Sequence, residues 1–210
     1  MNLTNKVVFP GTFNPIHNGH LQMAETAKQT LGTEKVMFIP AYSPYHKNNT
    51  SNATSLDRLK MTRLAVKGNL DFEVNDIDFQ LKPEHSYSLN TVRKLLGIDG
   101  NPITQVTEKV NFLIGADTFR NLDTWHKIRE LAELVKFLVV RRPGSKPVSE
   151  IRQALKTDNI QFQEIQFNEE IPGISSTLVR ERVNQGKDID KLVPKAVADY
   201  IDKHKLYVNA

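Results

Sequence analysis

The chain has 210 residues, enough to close one sizeable hydrophobic core without covalent staples, and no cysteine, which excludes disulfides and thiolate metal sites and favours a cytoplasmic location. Its 28 Lys and Arg against 24 Asp and Glu leave a formal charge of +4, with the two signs interspersed, so a pI of about 9.2 carries no nucleic-acid footprint. The opening residues, MNLTNKVVF, hold too short an apolar stretch for a signal peptide, and no segment approaches the roughly 18 apolar residues of a membrane span.

Short apolar runs alternate along the chain with longer amphipathic stretches. KVVF precedes residues 18–31, KVMFIP precedes 55–67, VNFLIG precedes 116–134, and KFLVVR precedes 147–156. Runs rich in Val, Ile and Phe predict strands buried on both faces, and their alternation with helices predicts βαβ units. The expected fold is α/β, a Rossmann-like doubly wound parallel sheet, with residues 1–210 forming one domain without internal repeats or linkers. Right-handed crossovers then gather the loops after Phe9, Pro40, Ile114 and Val140 along one sheet edge, where such folds bind ligands. The polar, aperiodic segment 41–54 predicts a mobile loop over that crevice, and 98–108 a peripheral connection.

The turn after the first run reads GTFNPIHNGH, residues 11–20. Gly11 permits a tight exit from the strand, Pro15 stiffens the loop, and Asn18 is a candidate cap for a helix whose first turn holds His20. His17 and His20, three positions apart, fall on one side of that turn. A helix start with two imidazoles suits phosphate, whose oxygens would accept from ring N–H groups as well as from the backbone. The same spacing suits an ordinary turn with two surface histidines, and the turn alone does not separate the two. A metal site finds no further ligand at convincing spacing nearby.

Near the other end, ISSTLVRERV at 174–183 follows Pro172-Gly173. Ser175, Ser176 and Thr177 are expected at a helix start, with Arg180 one turn further on to offer a fork of donors. Taken singly, this is also how a serine cap beside an exposed arginine looks.

Together the two segments resemble the HxGH and ISSTxxR signatures of the nucleotidyltransferase superfamily, in the right order and about 155 residues apart. PGTF at 10–13 is similar to pantetheine-phosphate adenylyltransferases. IPAYSPYHK, SYSLNTV, FLIGADTFRNLDTWHKI, RRPG and LVPKAVADYIDKHKLY instead resemble blocks of the bacterial nicotinate-nucleotide adenylyltransferases. That resemblance implies adenylyl transfer from ATP, with Mg²⁺, to nicotinate mononucleotide in NAD biosynthesis, by in-line attack on the α-phosphate without a covalent intermediate.

It also implies residue roles. ATP would lie against Gly11, Thr12, Phe13, His17 and His20, with Ser176, Thr177 and Arg180 closing on its phosphates and Asp117 near its ribose. His17, His20 and Arg180 would be the catalytic groups. Trp125 would stack on the pyridine ring, Tyr87 and Ser88 would hold its carboxylate, and His46 and Lys47 would meet phosphate from the mobile loop. Asn14, Tyr45, Asn90 and His126 depart from the family's usual residues at their positions, the last two on the nicotinate side. The partners expected are small molecules, with neither nucleic acid nor membrane; a homo-oligomer is compatible with the sequence, which does not fix the state. Rival readings are an adenylyltransferase for nicotinamide mononucleotide or phosphopantetheine, and a non-catalytic nucleotide- or RNA-binding module.

Overall fold

The computed structural model describes residues 3, 5–45, 51–98, 108–141, 146–166 and 173–208. Six parallel strands form one sheet in the order β3-β2-β1-β4-β5-β6. They are β1 (Lys6–Gly11), β2 (Lys35–Pro40), β3 (Phe72–Val74), β4 (Val110–Gly115), β5 (Val135–Arg141) and β6 (Phe162–Gln166). This is the doubly wound arrangement expected from the sequence. The chain winds outward from β1 through β2 to β3, then returns to start β4 on β1's other side, so the order reverses between β1 and β4.

Period-two alternation sorts the strand side chains into two cores. Val8, Met37, Ile39, Phe112, Ile114, Phe137 and Val139 share one apolar cluster with Leu89, Phe119, Leu131 and Ile151. Val7, Phe9, Val36, Phe38, Leu113, Leu138 and Val140 share the other with Ala24, Met61, Val179 and Val197. The covering helices on the first face are α3 (Ile77–Leu81), α4 (Ser88–Leu96), α5 (Ala116–Phe119), α6 (Ile128–Leu134) and α7 (Val148–Ala154). On the second face lie α1 (Asn18–Leu31), α2 (Ser55–Val66), α8 (Ser176–Asn184) and α9 (Lys195–Lys203).

Two expectations change in detail, and two strands are present that the apolar runs did not mark. The amphipathic stretch 116–134 is not one helix: it breaks into α5, a single 3₁₀ turn at Leu122–Thr124 and α6, with Lys127 at φ 49 just before α6. Two strands, β3 and β6, carry no strong apolar run, because each lies at an edge of the sheet and buries fewer residues. Asn18 is not the cap of α1. His17 occupies that position, while the Asn18 side chain donates to the Lys191 carbonyl at 3.1 Å and its N–H to Leu192 at 2.8 Å. Residues 46–50 of the expected loop 41–54, and 99–107 of the expected connection 98–108, fall outside the described residues.

The start of α2 fastens α9. The Asp57 carboxylate accepts from the Thr54 N–H at 2.8 Å, the Thr54 hydroxyl at 2.6 Å and the Tyr200 hydroxyl at 2.9 Å. Burial acts to raise its pKa, but these hydrogen bonds and the nearby His204 outweigh burial, so the carboxyl titrates below its ordinary 3.8. A group depressed by folding adds stability that is complete above the unfolded pKa and lost as pH falls through the lower folded value. Asp57→Asn is therefore expected to flatten part of the acid limb of the stability curve below about pH 4, and to cost about 1 kcal/mol at neutral pH through the damaged cap. Urea unfolding of both proteins across pH 2 to 7 measures each.

Candidate active site

β1 ends at Gly11 beside the reversal point of the sheet, and the chain then turns through residues 12–16 into α1. Phe13 has φ 46 and is 2% exposed, folded back under the strand end. A Cβ on Gly11 would stand 2.6 Å from the Phe13 ring, so a glycine is the condition for that turn. The Phe13 ring in turn meets Phe9 edge-on at 5.5 Å and His20 edge-on at 5.1 Å. Phe13 thus supports the site from beneath, and only its backbone is presented.

The paired imidazoles share a face, as their spacing predicts. The rings of His17 and His20 stack with centroids 3.6 Å apart and planes 23° apart. The His17 N–H donates to Nδ1 of His20 at 3.3 Å. A neutral His20 accepting there carries its proton on Nε2, on the far side of the ring, which fixes it as a donor away from the helix. His17 is 4% exposed, whereas His20 is half-buried.

Ser175 caps α8, accepting from the Leu178 N–H at 3.1 Å, as the sequence predicts. The helix start is bonded directly to the loop after β1. The Ser176 hydroxyl donates to the Pro15 carbonyl at 2.9 Å, and Arg180 Nη1 donates to the Asn14 carbonyl at 2.8 Å. A second Arg180 nitrogen, Nη2, reaches the Thr177 hydroxyl at 3.2 Å. Beneath Gly19, Ile174 lies 3.7 Å from where a Cβ would stand, so the two segments also pack. The Ser176 side chain is thereby committed to the loop, leaving its backbone rather than its hydroxyl for a ligand.

Of the remaining predicted residues, Asp117, Tyr87, Ser88 and Trp125 are among those described. Asp117 sits exposed in the first turn of α5, directly after β4, and Gly115 before it faces Met23 of α1, one turn beyond His20. Tyr87 caps the start of α4 and Ser88 is its first residue. Tyr87 stacks on His126 at 4.1 Å and 22°, with Tyr45 and His85 at 5.0 and 5.7 Å. Desolvation, then Tyr45 and Glu84, push the Tyr87 phenol above its ordinary pKa. Trp125, next to His126, is half-buried and meets Phe112 edge-on at 6.3 Å, so it is part core and part wall. His46 and Lys47 lie outside the described residues.

Comparison with known proteins gives the family of the chain. The sequence pattern of the cytidylyltransferase-like family matches residues 8–182. A Dehalococcoides mccartyi protein named probable nicotinate-nucleotide adenylyltransferase is 37% identical over 202 residues, covering 95% of each chain. One of the same name from Bacillus pumilus is 34% identical over 200 residues, covering 95% of this chain and 96% of the relative. The chain belongs to the nicotinate-nucleotide adenylyltransferases of the cytidylyltransferase-like family. In fold it matches Plasmodium falciparum nicotinic acid mononucleotide adenylyltransferase complexed with NaAD, with a TM-score of 0.72 over 97% of both chains at 18% identity.

Two buried residues that the sequence did not single out hold the turn after β1 from beneath. Arg58 of α2 is 1% exposed and donates to the Thr12 carbonyl at 2.7 Å. Its signal was available: position 58 shares a helix face with Met61 and Thr62, both buried, so the α2 periodicity points an arginine inward. Tyr207, fully buried near the end of the chain, donates its hydroxyl to Asn14 Oδ1 at 2.8 Å. Burial pushes its phenol far above the ordinary range, against the opposing effect of Arg180 and Arg58. No local pattern marks Tyr207, because its partner lies 193 residues away.

Gly11→Ala tests the packing that carries His20. The added methyl has no room beside a Phe13 ring that is itself buried, and overpacking of this kind costs about 1–3 kcal/mol. Thermal unfolding is expected to show that loss together with reduced turnover, since a displaced Phe13 moves the edge on which His20 rests.

Proposed function

We propose that this protein transfers the adenylyl group of ATP to nicotinate mononucleotide, releasing pyrophosphate and forming nicotinate adenine dinucleotide. The observation that carries the reading is the direct bonding of the α8 start to the loop after β1, which sets the stacked His17 and His20 and the Arg180 fork around one crevice. The names of relatives at 34–37% identity across nearly their whole length support the choice of acceptor.

The attacking phosphate monoester has a second pKa of about 6 and is largely ionised at neutral pH, so it requires alignment rather than a general base. Catalysis is then positioning and charge stabilisation during in-line displacement at the α-phosphorus, with no covalent enzyme intermediate. His20 donates from Nε2 to a phosphate oxygen of ATP as charge moves toward the leaving pyrophosphate, and His17 and Arg180 share that load. Gly11, Thr12 and Phe13 offer backbone to the nucleotide, Thr177 and the Ser176 backbone close on its phosphates, and Asp117 accepts from the ribose.

On the acceptor side, Trp125 provides the pyridine platform, Tyr87 and Ser88 receive the carboxylate at the start of α4, and His46 and Lys47 approach the phosphate. Magnesium enters with ATP as part of the substrate, coordinated chiefly by phosphate oxygens and water. Among the described residues no three His, Cys, Asp or Glu side chains gather as a metal-binding group. The reading makes the protein a cytoplasmic enzyme of small molecules, with its oligomeric state open to measurement. No helix among the described residues is long and apolar enough to cross a membrane.

A pyrophosphate-release assay with nicotinate mononucleotide, nicotinamide mononucleotide and phosphopantetheine tests the acceptor. The highest kcat/KM is expected with nicotinate mononucleotide; preference for another acceptor replaces the assignment, and release with none of them refutes it. For His20→Ala, kcat is expected to fall by about 10² to 10³, the usual cost of one preorganised donor, with unchanged far-ultraviolet circular dichroism. Near-normal turnover in a folded variant removes His20 from the chemistry.

A further inference from the structure

Arg58 has no role in the mechanism above, yet it is the largest fully buried side chain of the described residues. Its two terminal nitrogens serve different loops. Nη1 donates to the Thr12 carbonyl at 2.7 Å, in the turn after β1, and Nη2 donates to the Tyr42 carbonyl at 3.0 Å, in the segment after β2. Nε has no hydrogen-bond partner among the described residues, and no carboxylate there pairs with the guanidinium. A buried cation held only by carbonyls is costly, and an apolar side chain of similar size would fill the space more cheaply. Retaining an arginine there points to geometry that only its planar fork provides.

The Tyr42 end of the fork continues into the acceptor side. Ser43 follows Tyr42 and is latched to Ser86: the Ser86 N–H donates to the Ser43 carbonyl at 2.7 Å, and the Ser43 N–H donates to the Ser86 hydroxyl at 2.9 Å. Ser86 precedes Tyr87, which caps α4 and stacks on His126 beside Trp125. Tyr42 itself packs edge-on against Phe79 of α3 at 5.4 Å. A continuous path of hydrogen bonds and adjoining peptide units therefore runs from the ATP turn at Thr12, through one guanidinium, to the wall assigned to the pyridine ring.

We infer that Arg58 is a positioning residue that fixes the separation between the two nucleotide half-sites, an assignment that rests on the adenylyl-transfer reading. The rings of each half-site have supports other than Arg58: the histidine pair stands on Phe9 and Phe13, and the acceptor wall stands on α4 and the core. What neither half supplies is their spacing. In-line attack demands that spacing, because a misplacement of about 1 Å costs on the order of 10² in rate.

The test compares wild type with Arg58→Met, which keeps length and apolar volume, and Arg58→Lys, which keeps charge but lacks the planar fork. Kinetics with ATP and nicotinate mononucleotide are run beside direct binding of each, and of nicotinate adenine dinucleotide. In Arg58→Met, kcat is expected to fall about 100-fold, with each mononucleotide bound within about threefold of wild type and the dinucleotide weakened by about tenfold or more, since it alone must span both half-sites at once. Arg58→Lys is expected to recover less than half of the lost logarithm of kcat. A role in stability alone would lower Tm while leaving the ratio of dinucleotide to mononucleotide affinity unchanged, and that result overturns the inference, as does full rescue by lysine.

Hydrogen exchange of the ligand-free proteins reads the same tie without turnover. Faster exchange in Arg58→Met at both residues 12–13 and 42–45, with the strands unaffected, supports the link; unchanged exchange at either segment overturns it. If Arg58→Met fails to fold, Arg58→Lys carries the same two measurements, with loss of the dinucleotide advantage and faster exchange at both segments as the supporting result. A wild type that forms no dinucleotide would sink the adenylyl-transfer reading, and exchange at the two loops would still decide whether Arg58 couples them.

Discussion

Everything at the site depends on two donors from the start of α8 reaching carbonyls in the turn after β1. Arg180 to Asn14 and Ser176 to Pro15 are ordinary hydrogen bonds in length, at 2.8 and 2.9 Å, but they join residues 166 and 161 positions apart. Hydrogen bonds from a charged donor to a carbonyl are stronger than neutral ones and hold a loop in one register. Once the Asn14 and Pro15 carbonyls are drawn toward α8, the following peptide leads His17 into the cap position of α1 and sets its ring over that of His20. The Asn14–Pro15 peptide bond within this turn is cis.

The same turn is held from below by groups that never face solvent. Tyr207 grips the Asn14 side chain, Arg58 grips Thr12, and Phe13 fills the space that a glycine at 11 leaves open. Asn14 is at the centre: its carbonyl accepts from Arg180, its Oδ1 from Tyr207, and its Nδ2 donates to Ser51 at 3.1 Å. Asn52 beside it receives the Tyr207 N–H at 2.7 Å and donates to the Lys205 carbonyl at 3.0 Å. The last turn of the chain thus closes over the end of the segment after β2 as well as the turn after β1, and burial of a whole tyrosine fixes it there.

Two guanidinium groups, Arg58 and Arg180, and one carboxylate, Asp57, act on the Tyr207 phenol at this place. Arg58 and Arg180 stand near a neutral amide and a phenol that burial keeps protonated, so the turn lies over two guanidinium groups. A polyanion brought to such a crevice meets positive charge in surroundings where water screens it weakly. A second group of side chains is different in kind, a cluster of the rings of Tyr45, Tyr87, His85 and His126, with half-buried Trp125 next to His126 in the chain. The guanidinium-held turn after β1 and this aromatic cluster are therefore chemically distinct surfaces.

What the sequence alone determined is what depends on local periodicity and on residue chemistry at fixed spacing. The apolar runs at 6–9, 35–40, 110–115 and 136–141 announce buried parallel strands because each must be covered on both faces; Gly11 and Ser175 declare themselves by turn and helix-start chemistry, and His17 and His20 by their spacing. The edge strands β3 and β6, the break of 116–134 at Trp125 to Lys127, and the cap of α1 were not legible, since partial burial weakens the pattern and neighbouring elements decide where a helix stops. Only the tertiary structure decided that Ser176 serves the loop through its hydroxyl, that Phe13 lies beneath the site, and that Arg58 and Tyr207 belong to it at all. Those roles arise from donors and acceptors separated by tens to nearly two hundred positions, and a bond of that kind leaves no trace in the spacing of either partner's own neighbours.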